Sequence, residues 1–398
     1  MSILGSMSLD IGEEQAIATA LTRPIATILE LSLYSRSSLH PAPTEANAAS
    51  VFWVGGNLDI ILHIGAHRTG TTTLQQFLLR NRTELRQAGV AVWAPDQIRY
   101  GLFAGLMHRP QSISPQEERR GARSCGVIGI ELARLRQSHC RQLIVSEENM
   151  IGSVRNNLQL SRLYPQLDQR LLRFHRGFGG AIRRIAIAVR SYETYWASCL
   201  SYGLALGHPL PSGDVLDRLV TQPYRWRDVI LQVATIFPGV EIVVWPFERF
   251  AGRPEAQLAI LSGGVQMNVP LTGSREWINP SPRRDKLRMI LRLRGEAGLC
   301  DRLPEGDGRW MPFDADQQET LRAQYCIDLA WLQAGADGIA RMVEAQSPAL
   351  GAHWSESQGP DRSGRTDKES GGTGGPAYAP ARDRRDGGRH YGQQEIMV

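Results

Sequence analysis

The sequence predicts an α/β fold, a three-layer domain in which a central parallel sheet is flanked by helices. Three observations carry that prediction. From Leu58 onward, short apolar runs alternate with amphipathic stretches. The runs are apolar along almost their whole length, as expected of strands covered on both faces. The first run passes through a glycine-containing loop into a hydroxyl-rich helix start, and alternating strand and helix units of this kind build parallel sheets.

The opening unit is Leu58-Asp-Ile-Ile-Leu-His-Ile-Gly-Ala-His-Arg-Thr-Gly-Thr-Thr-Thr-Leu-Gln-Gln76. It reads as a strand from Ile60 to Ile64, a loop from Gly65 to Thr71, and a helix from Thr72 to Gln87. That helix places Leu74, Phe77, Leu78 and Leu85 on one face and stops at Gly89. Val90-Ala-Val-Trp93 is a second strand closed by Pro95. Ser114-Pro-Gln-Glu117 is a capped, proline-started entry to a helix that continues through Val127 to Leu135. Gln142 to Ser146 is a third strand. Leu167 to Phe178 is amphipathic and ends at Gly179-Gly180. Arg184 to Arg190 is a fourth strand, followed by a helix from Tyr192 to about Tyr202. Helices are expected near 214–220 and 226–237, with Pro238-Gly239 as the stop. Val240 to Trp245 is a fifth strand, Pro254 starts a helix toward Leu261, and Asp314 to Leu332 is a late amphipathic helix.

These elements place one domain at residues 57–345. Residues 1–56 form an N-terminal extension, partly helical between Glu14 and Ser32 with Pro24 interrupting, and linker-like from Ser35 to Ser50. Residues 355–398 hold nine Gly and seven basic against seven acidic residues, with few apolar side chains. Such a segment buries too little surface to offset its ordering entropy, so a disordered tail is expected. An RNA-binding Arg-Gly tail is the alternative, which the balanced charge disfavours.

Composition is that of a soluble globular chain: 42% hydrophobic, 21% charged, net charge +5. That charge permits an anionic ligand without calling for nucleic acid. Of the 45 basic residues only Lys286 and Lys368 are lysine, which leaves 43 arginines. Any one arginine must therefore be judged by where it stands. Five scattered cysteines without a Cys-x-x-Cys pair suggest reduced thiols, with neither disulfide framework nor zinc site. No apolar run is long enough to span a bilayer, and no secretory signal opens the chain, so a cytoplasmic protein is expected.

The loop carries the chemistry. A helix N-terminus gathers unpaired N–H groups and the positive end of the dipole, which favours an anion. Gly65 and Gly70 allow close backbone approach, Thr71, Thr72 and Thr73 supply hydroxyls, and Arg68 supplies a fixed cation. The spacing Gly-x4-Gly-Thr-Thr matches a P-loop except that Thr71 stands where a P-loop has lysine. ATP chemistry loses its cation there, and the positive charge sits two residues before the second glycine, at Arg68.

Ile64-Gly-Ala-His-Arg-Thr-Gly-Thr-Thr-Thr-Leu-Gln75 resembles the 5′-phosphosulfate loop of sulfotransferases that use 3′-phosphoadenosine 5′-phosphosulfate (PAPS). That loop usually reads Pro-Lys-(Thr/Ser)-Gly-Thr-(Thr/Ser); His67-Arg68 stands here in place of Pro-Lys, and tyrosylprotein sulfotransferases also carry Arg there. The family further has a strand-terminal Arg and, eight residues on, a Ser on the next helix, both on the 3′-phosphate. Arg190 and Ser198 match that spacing, with Ser191-Tyr192 where Asp-Pro is common. Val243-Val-Trp-Pro-Phe-Glu248 followed by Pro254 resembles a late strand–helix segment of the same family, with Glu248 structural in role. The resemblance spans about Leu58 to Leu261 and looks closer to short bacterial sulfotransferase-like proteins than to eukaryotic branches.

The resemblance implies a P-loop-type fold and metal-independent, in-line transfer of a sulfuryl group from PAPS to an acceptor hydroxyl or amine. It places His67, Arg68, Thr69, Gly70, Thr71, Thr72, Arg190 and Ser198 on the cofactor and Arg68 at the bridging oxygen. Arg68 does not deprotonate in the ordinary range, so it can act only by charge. The base is open between Glu147, Glu148, Asp96 and His108, with Glu147 favoured as the residue at the carboxyl end of the third strand. Glu147 and Glu148 also fit a helix cap or a magnesium-binding acidic pair, the latter pointing to a P-loop kinase or NTPase. His63 is expected in the core. Tyr192, Tyr195 and Trp196 stand at core-like helical spacing and could border an acceptor cleft. The acceptor is open among carbohydrate, lipid, peptide and small phenol, and a non-catalytic nucleotide- or glycan-binding protein is the remaining alternative.

Overall fold

The computed structural model describes residues 58–344, apart from 111–112, 139, 265–270 and 274–280. The expectations for 1–56 and 355–398 lie outside the described residues. Six parallel strands form one sheet in the order β2-β3-β1-β4-β5-β6. They are β1 (Asp59–His63), β2 (Val90–Trp93), β3 (Gln142–Ser146), β4 (Ile182–Val189), β5 (Glu241–Pro246) and the two-residue β6 (Arg341–Met342). The parallel sheet follows from the sequence, since continuous apolar strands satisfy both of its covered faces.

Strand alternation divides the core into two layers. Ile60, Leu62, Leu143, Val145, Ile185, Ile187, Ile242 and Val244 face one way. They pack under α3 (Pro115–Gln137), α5 (Leu167–Phe178), α6 (Tyr192–Ala205), α8 (Trp226–Ile236) and α11 (Ala315–Gln333). Ile61, Ile144, Ala186, Ala188 and Trp245 face the other way. Leu74, Phe77 and Leu78 of α1 (Thr71–Arg80), Leu85 of α2 (Arg82–Gln87), and Leu258 and Leu261 of α9 (Pro254–Ser262) cover them. Further helices are α4 (Val154–Gln159), α7 (Gly213–Thr221) and α10 (Arg284–Leu293).

This topology makes a crevice. From β1 the chain leaves toward one face, into α1. From β3 and β4, its two neighbours in the sheet, it leaves toward the other. Where connections diverge in this way, the carboxyl ends of the strands open a cleft that suits a ligand.

Three differences from the sequence reading have physical causes. The helix expected over 72–87 breaks at Asn81. The Asn81 amide donates to the carbonyls of Phe77 (2.8 Å) and Thr272 (2.9 Å) and accepts from the Thr272 N–H (2.8 Å). Its side chain thus competes with the helix for backbone groups. β6 was not foreseen because two residues carry no periodicity. α10 was not assigned, although Leu287 and Leu291 at four-residue spacing supply its signal and are both buried. No helix among the described residues is long and apolar enough to cross a membrane. Cys140, Cys199 and Cys300 are buried, Cys125 is partly buried, Cys326 is exposed, and all are free thiols.

Candidate functional site

The loop after β1 begins as an extension of the sheet. Ile64 N–H donates to the Ala186 carbonyl (3.0 Å), Ala66 N–H to that of Ala188 (3.2 Å), and Ala188 N–H to that of Gly65 (2.7 Å). Gly65 has φ 112°, and a Cβ there would lie 3.1 Å from Glu148 Cβ and 3.2 Å from His67 N. Only glycine fits both the angle and the space. Thr69 then donates its hydroxyl to the Ala66 carbonyl (2.6 Å), closing the turn. Gly70, at φ 78°, is the N-cap of α1.

The start of α1 is open. It carries no side-chain cap and no acidic residue in its first turn, and Thr71, Thr72 and Thr73 form that turn. Its leading N–H groups have no helical acceptor, so the positive end of the dipole faces the crevice unscreened.

Arg68 stands at the mouth with φ 61°, a conformation that side-chain-bearing residues adopt at a cost. Its carbonyl accepts a hydrogen bond from Arg190 Nη1, which holds the turn in place. Its guanidinium donates to Ser198 Oγ (3.0 Å, Nε) and Ser281 Oγ (3.1 Å, Nη2), and the two hydroxyls are 2.6 Å apart. Arg68 also lies 4.9 Å from the centre of the Tyr202 ring. Ser198 therefore sits with Arg68, whereas the sequence reading set it beside Arg190.

Arg190 follows the last residue of β4. Its Nε donates to Thr194 Oγ1 (3.0 Å), and its guanidinium lies 4.6 Å from the centre of the Phe247 ring. Trp226 Nε1 donates to the Arg190 carbonyl (2.8 Å), fixing the backbone. Burial, then the like charges of Arg309 and Arg68, bring the Arg190 guanidinium down to about 10, with Glu248 opposing. Arg68, Arg190 and Arg309 form no ion pair with a carboxylate among the described residues; the partners of Arg68 and Arg190 are hydroxyls, a carbonyl and aromatic faces. Arg190 with the like charges of Arg68 and Arg309 near it, beside an open helix N-terminus, makes a site for an anion.

His67 turns inward. Its N–H donates to the Tyr164 hydroxyl (2.9 Å); its Nδ1 lies 3.3 Å from that hydroxyl and its Nε2 3.1 Å from Asn149 Oδ1. Burial lowers its pKa, so the ring is neutral near pH 7. Asn149 Oδ1 can only accept, so the proton belongs on Nε2 and Nδ1 accepts from Tyr164. Asn157 and Tyr195 continue the chain, Asn157 donating to Tyr195 (3.0 Å) and Tyr195 to Tyr164 (3.3 Å). His67 positions the loop from beneath.

On the β3 side the arrangement is different. Glu147 is fully buried. Its carboxylate accepts from Arg99 Nε (2.7 Å) and Nη2 (3.0 Å) and from the Asn149 N–H (3.0 Å). Glu148 accepts from Arg99 Nη2 (3.1 Å) and Gln75 Nε2 (2.7 Å). Burial, then the Glu148 charge, push the Glu147 carboxyl up. The favoured base is thus enclosed and clamped, with no surface toward the cleft; Glu148 keeps a small exposed part. Asp96 is exposed, 3.7 Å from Arg82, and His108 Nδ1 is 3.2 Å from Glu117.

The other assignments resolve simply. Glu248 accepts from Ser191 N–H (2.9 Å) and the Tyr325 hydroxyl (3.0 Å), a structural tie between α6 and α11. Tyr192, Tyr195 and Trp196 are entirely buried, so they are core and border no cleft. His63 is buried between Ser146 (2.8 Å) and the Trp245 ring, and burial lowers it to about 4. No group of three or more His, Cys, Asp or Glu is placed to hold a metal ion among the described residues. Sequence reasoning missed Arg99, Ser281 and Arg309. Arg99 lies in the helical turn Ile98–Leu102 that follows β2, and all three reach the site only through long-range folding. No family model, no curated protein and no solved structure matches this chain.

Proposed function

We propose that this chain is a PAPS-dependent sulfotransferase, moving a sulfuryl group to an acceptor hydroxyl or amine. The observation that carries the reading is the group of Arg68, Arg190 and Arg309 with Ser198 and Ser281, in no ion pair with a carboxylate among the described residues, at the open start of α1. A nucleotide bearing anions at both its 5′ and 3′ positions fits such a divided cation set better than a single phosphate chain does.

In this reading PAPS supplies a sulfuryl group on a phosphate leaving group. The N–H groups at Gly70 to Thr72 and the hydroxyls of Thr71 and Thr72 hold its 5′ end. Arg68 stabilises the charge that develops on the bridging oxygen, and it does so without giving up a proton. Arg190 and Arg309 hold the 3′-phosphate. Ser198 and Ser281 orient the Arg68 guanidinium. His67 and the Tyr164 hydroxyl fix the loop's height over the sheet. With Glu147 enclosed, the proton acceptor is Glu148 or a residue of the segment after β2, where Asp96 and His108 lie. The kinase or NTPase reading is weakened by the same geometry, because Arg99 and Gln75 already occupy oxygens of the Glu147–Glu148 pair that would bind magnesium.

The test is transfer of label from ³⁵S-PAPS across a panel of phenols, sugars and amines, in the wild type and in Arg68→Ala. Label transfer that disappears in the variant supports the reading. Equal transfer by both proteins, or ATP hydrolysis without any use of PAPS, contradicts it.

A further inference from the structure

A second arginine group stands on the other side of the loop. Arg170 and Arg173 are one turn apart on α5, and both reach residues 106–109. Arg170 Nη2 donates to the carbonyls of Asn149 (2.8 Å) and Met107 (3.4 Å); Arg173 Nη1 donates to those of His108 (2.6 Å) and Leu106 (3.4 Å). Arg109 lies on the same segment and is exposed, Arg173 is half-buried, and Arg170 is innermost. Neither Arg170 nor Arg173 forms an ion pair with a carboxylate among the described residues. Glu117 pairs with His108 Nδ1 (3.2 Å) and also acts on Arg173. Arg170 Nε and His108 Nε2 are both buried without a hydrogen-bond partner.

A buried guanidinium is normally met by a carboxylate, because carbonyl dipoles orient the charge without neutralising it. Here burial, then Arg173 and Arg109, lower Arg170 to about 10, with Glu147 opposing. An anion would relieve that repulsion and engage the vacant Arg170 Nε–H.

The position of the group says what that anion belongs to. Asn149 links it to the loop, accepting from Arg170 at its carbonyl and facing His67 at its side chain. It therefore lies on the β3 side, whereas Arg190 and Ser198 lie on the β4 side. An in-line displacement puts the incoming and leaving groups on opposite sides of the transferred one. With the nucleotide on the β4 side, the acceptor enters from the β3 side. Resting on the donor reading above, we infer that Arg109, Arg170 and Arg173 recognise an oxyanion on the acceptor: a carboxylate, sulfate or phosphate near the hydroxyl or amine to be modified. The acceptor is an acidic molecule, not a neutral phenol or sugar.

The test is calorimetric titration of glucuronate, glucose 6-sulfate, glucose 6-phosphate and glucose into protein saturated with 3′,5′-ADP. At least one charged sugar binds at least tenfold more tightly than glucose, and the ranking identifies the oxyanion. Arg173→Ala and Arg109→Ala each weaken that binding at least fivefold and leave 3′,5′-ADP affinity within twofold. Arg170→Gln behaves likewise where its thermal melt shows it folded. No preference over glucose, or a preference that survives both alanine variants, overturns the inference and leaves the arginines as clamps on residues 106–109. If the wild type does not bind 3′,5′-ADP, the donor reading falls by itself. The same sugars titrated into the free protein then decide the arginine group by the same criteria.

Discussion

Arg99 and Arg68 stand on opposite sides of one loop and keep different company. Arg99 is held by two carboxylates, Glu147 and Glu148, at 2.7 to 3.1 Å. Against the effect of burial, Glu147 and then Glu148 hold its guanidinium above the ordinary value. Arg68 has two serine hydroxyls and an aromatic face, and its charge acts on Arg190. A cation whose charge is already met inside the protein is structural; one whose charge is not met is kept for a ligand. In a chain with 43 arginines, the partner list separates the two classes where residue identity cannot.

The comparison breaks most visibly at Glu147. Removing one member of a buried ion pair strands the other, so Glu147→Ala is expected to cost about 3–5 kcal/mol of stability. Urea unfolding would measure it, with nucleotide affinity of the folded fraction unchanged. Arg68→Ala reverses the pattern. It lowers turnover by about 10²–10³, as loss of one charge-stabilising donor does, and leaves the urea midpoint nearly where it was. A large stability loss in that variant would place Arg68 with Arg99.

A smaller effect follows from His63, buried and lowered to about 4 from 6.5. Above pH 6.5 both folded and unfolded chains carry the neutral ring. Between pH 6.5 and about 4 the unfolded chain takes up a proton that the folded one refuses, so stability falls as pH falls, by up to about 3 kcal/mol. Below about 4 this loss is complete. Urea midpoints at pH 7.5 and 5, for wild type and His63→Leu, isolate the contribution; an unchanged pH slope in the variant would contradict it. Smallest is Glu248→Gln, which weakens the ties to Ser191 and Tyr325 by about 1–2 kcal/mol, read from the urea midpoint.

What could be read from the sequence was what chain neighbours determine. Strands such as Ile185 to Val189 announce themselves because both faces are covered, leaving no polar positions. Gly65 and Gly70 announce the loop, since their positive φ values and the close approach to Glu148 leave no choice of residue. The break at Asn81 was hidden because its cause, Thr272, is 191 residues away. Ser281 and Arg309 were hidden for the same reason. Ser198 was found by its eight-residue spacing from Arg190, and only the fold reveals that the Arg68 guanidinium donates to it. Glu147 was correctly set at the end of β3, and only the fold reveals that Arg99 closes over it.

The central claim is that uncompensated arginines divide two anionic ends of one nucleotide between them. Calorimetry comparing 3′,5′-ADP with 5′-AMP and with ATP–Mg²⁺ tests it most directly. The 3′-phosphate adds charge-assisted hydrogen bonds worth about 1.5–3 kcal/mol, so 3′,5′-ADP binds at least about tenfold more tightly than 5′-AMP, and Arg190→Ala erases the difference. Equal affinity for 3′,5′-ADP and 5′-AMP, or tighter binding of ATP–Mg²⁺, would contradict the claim.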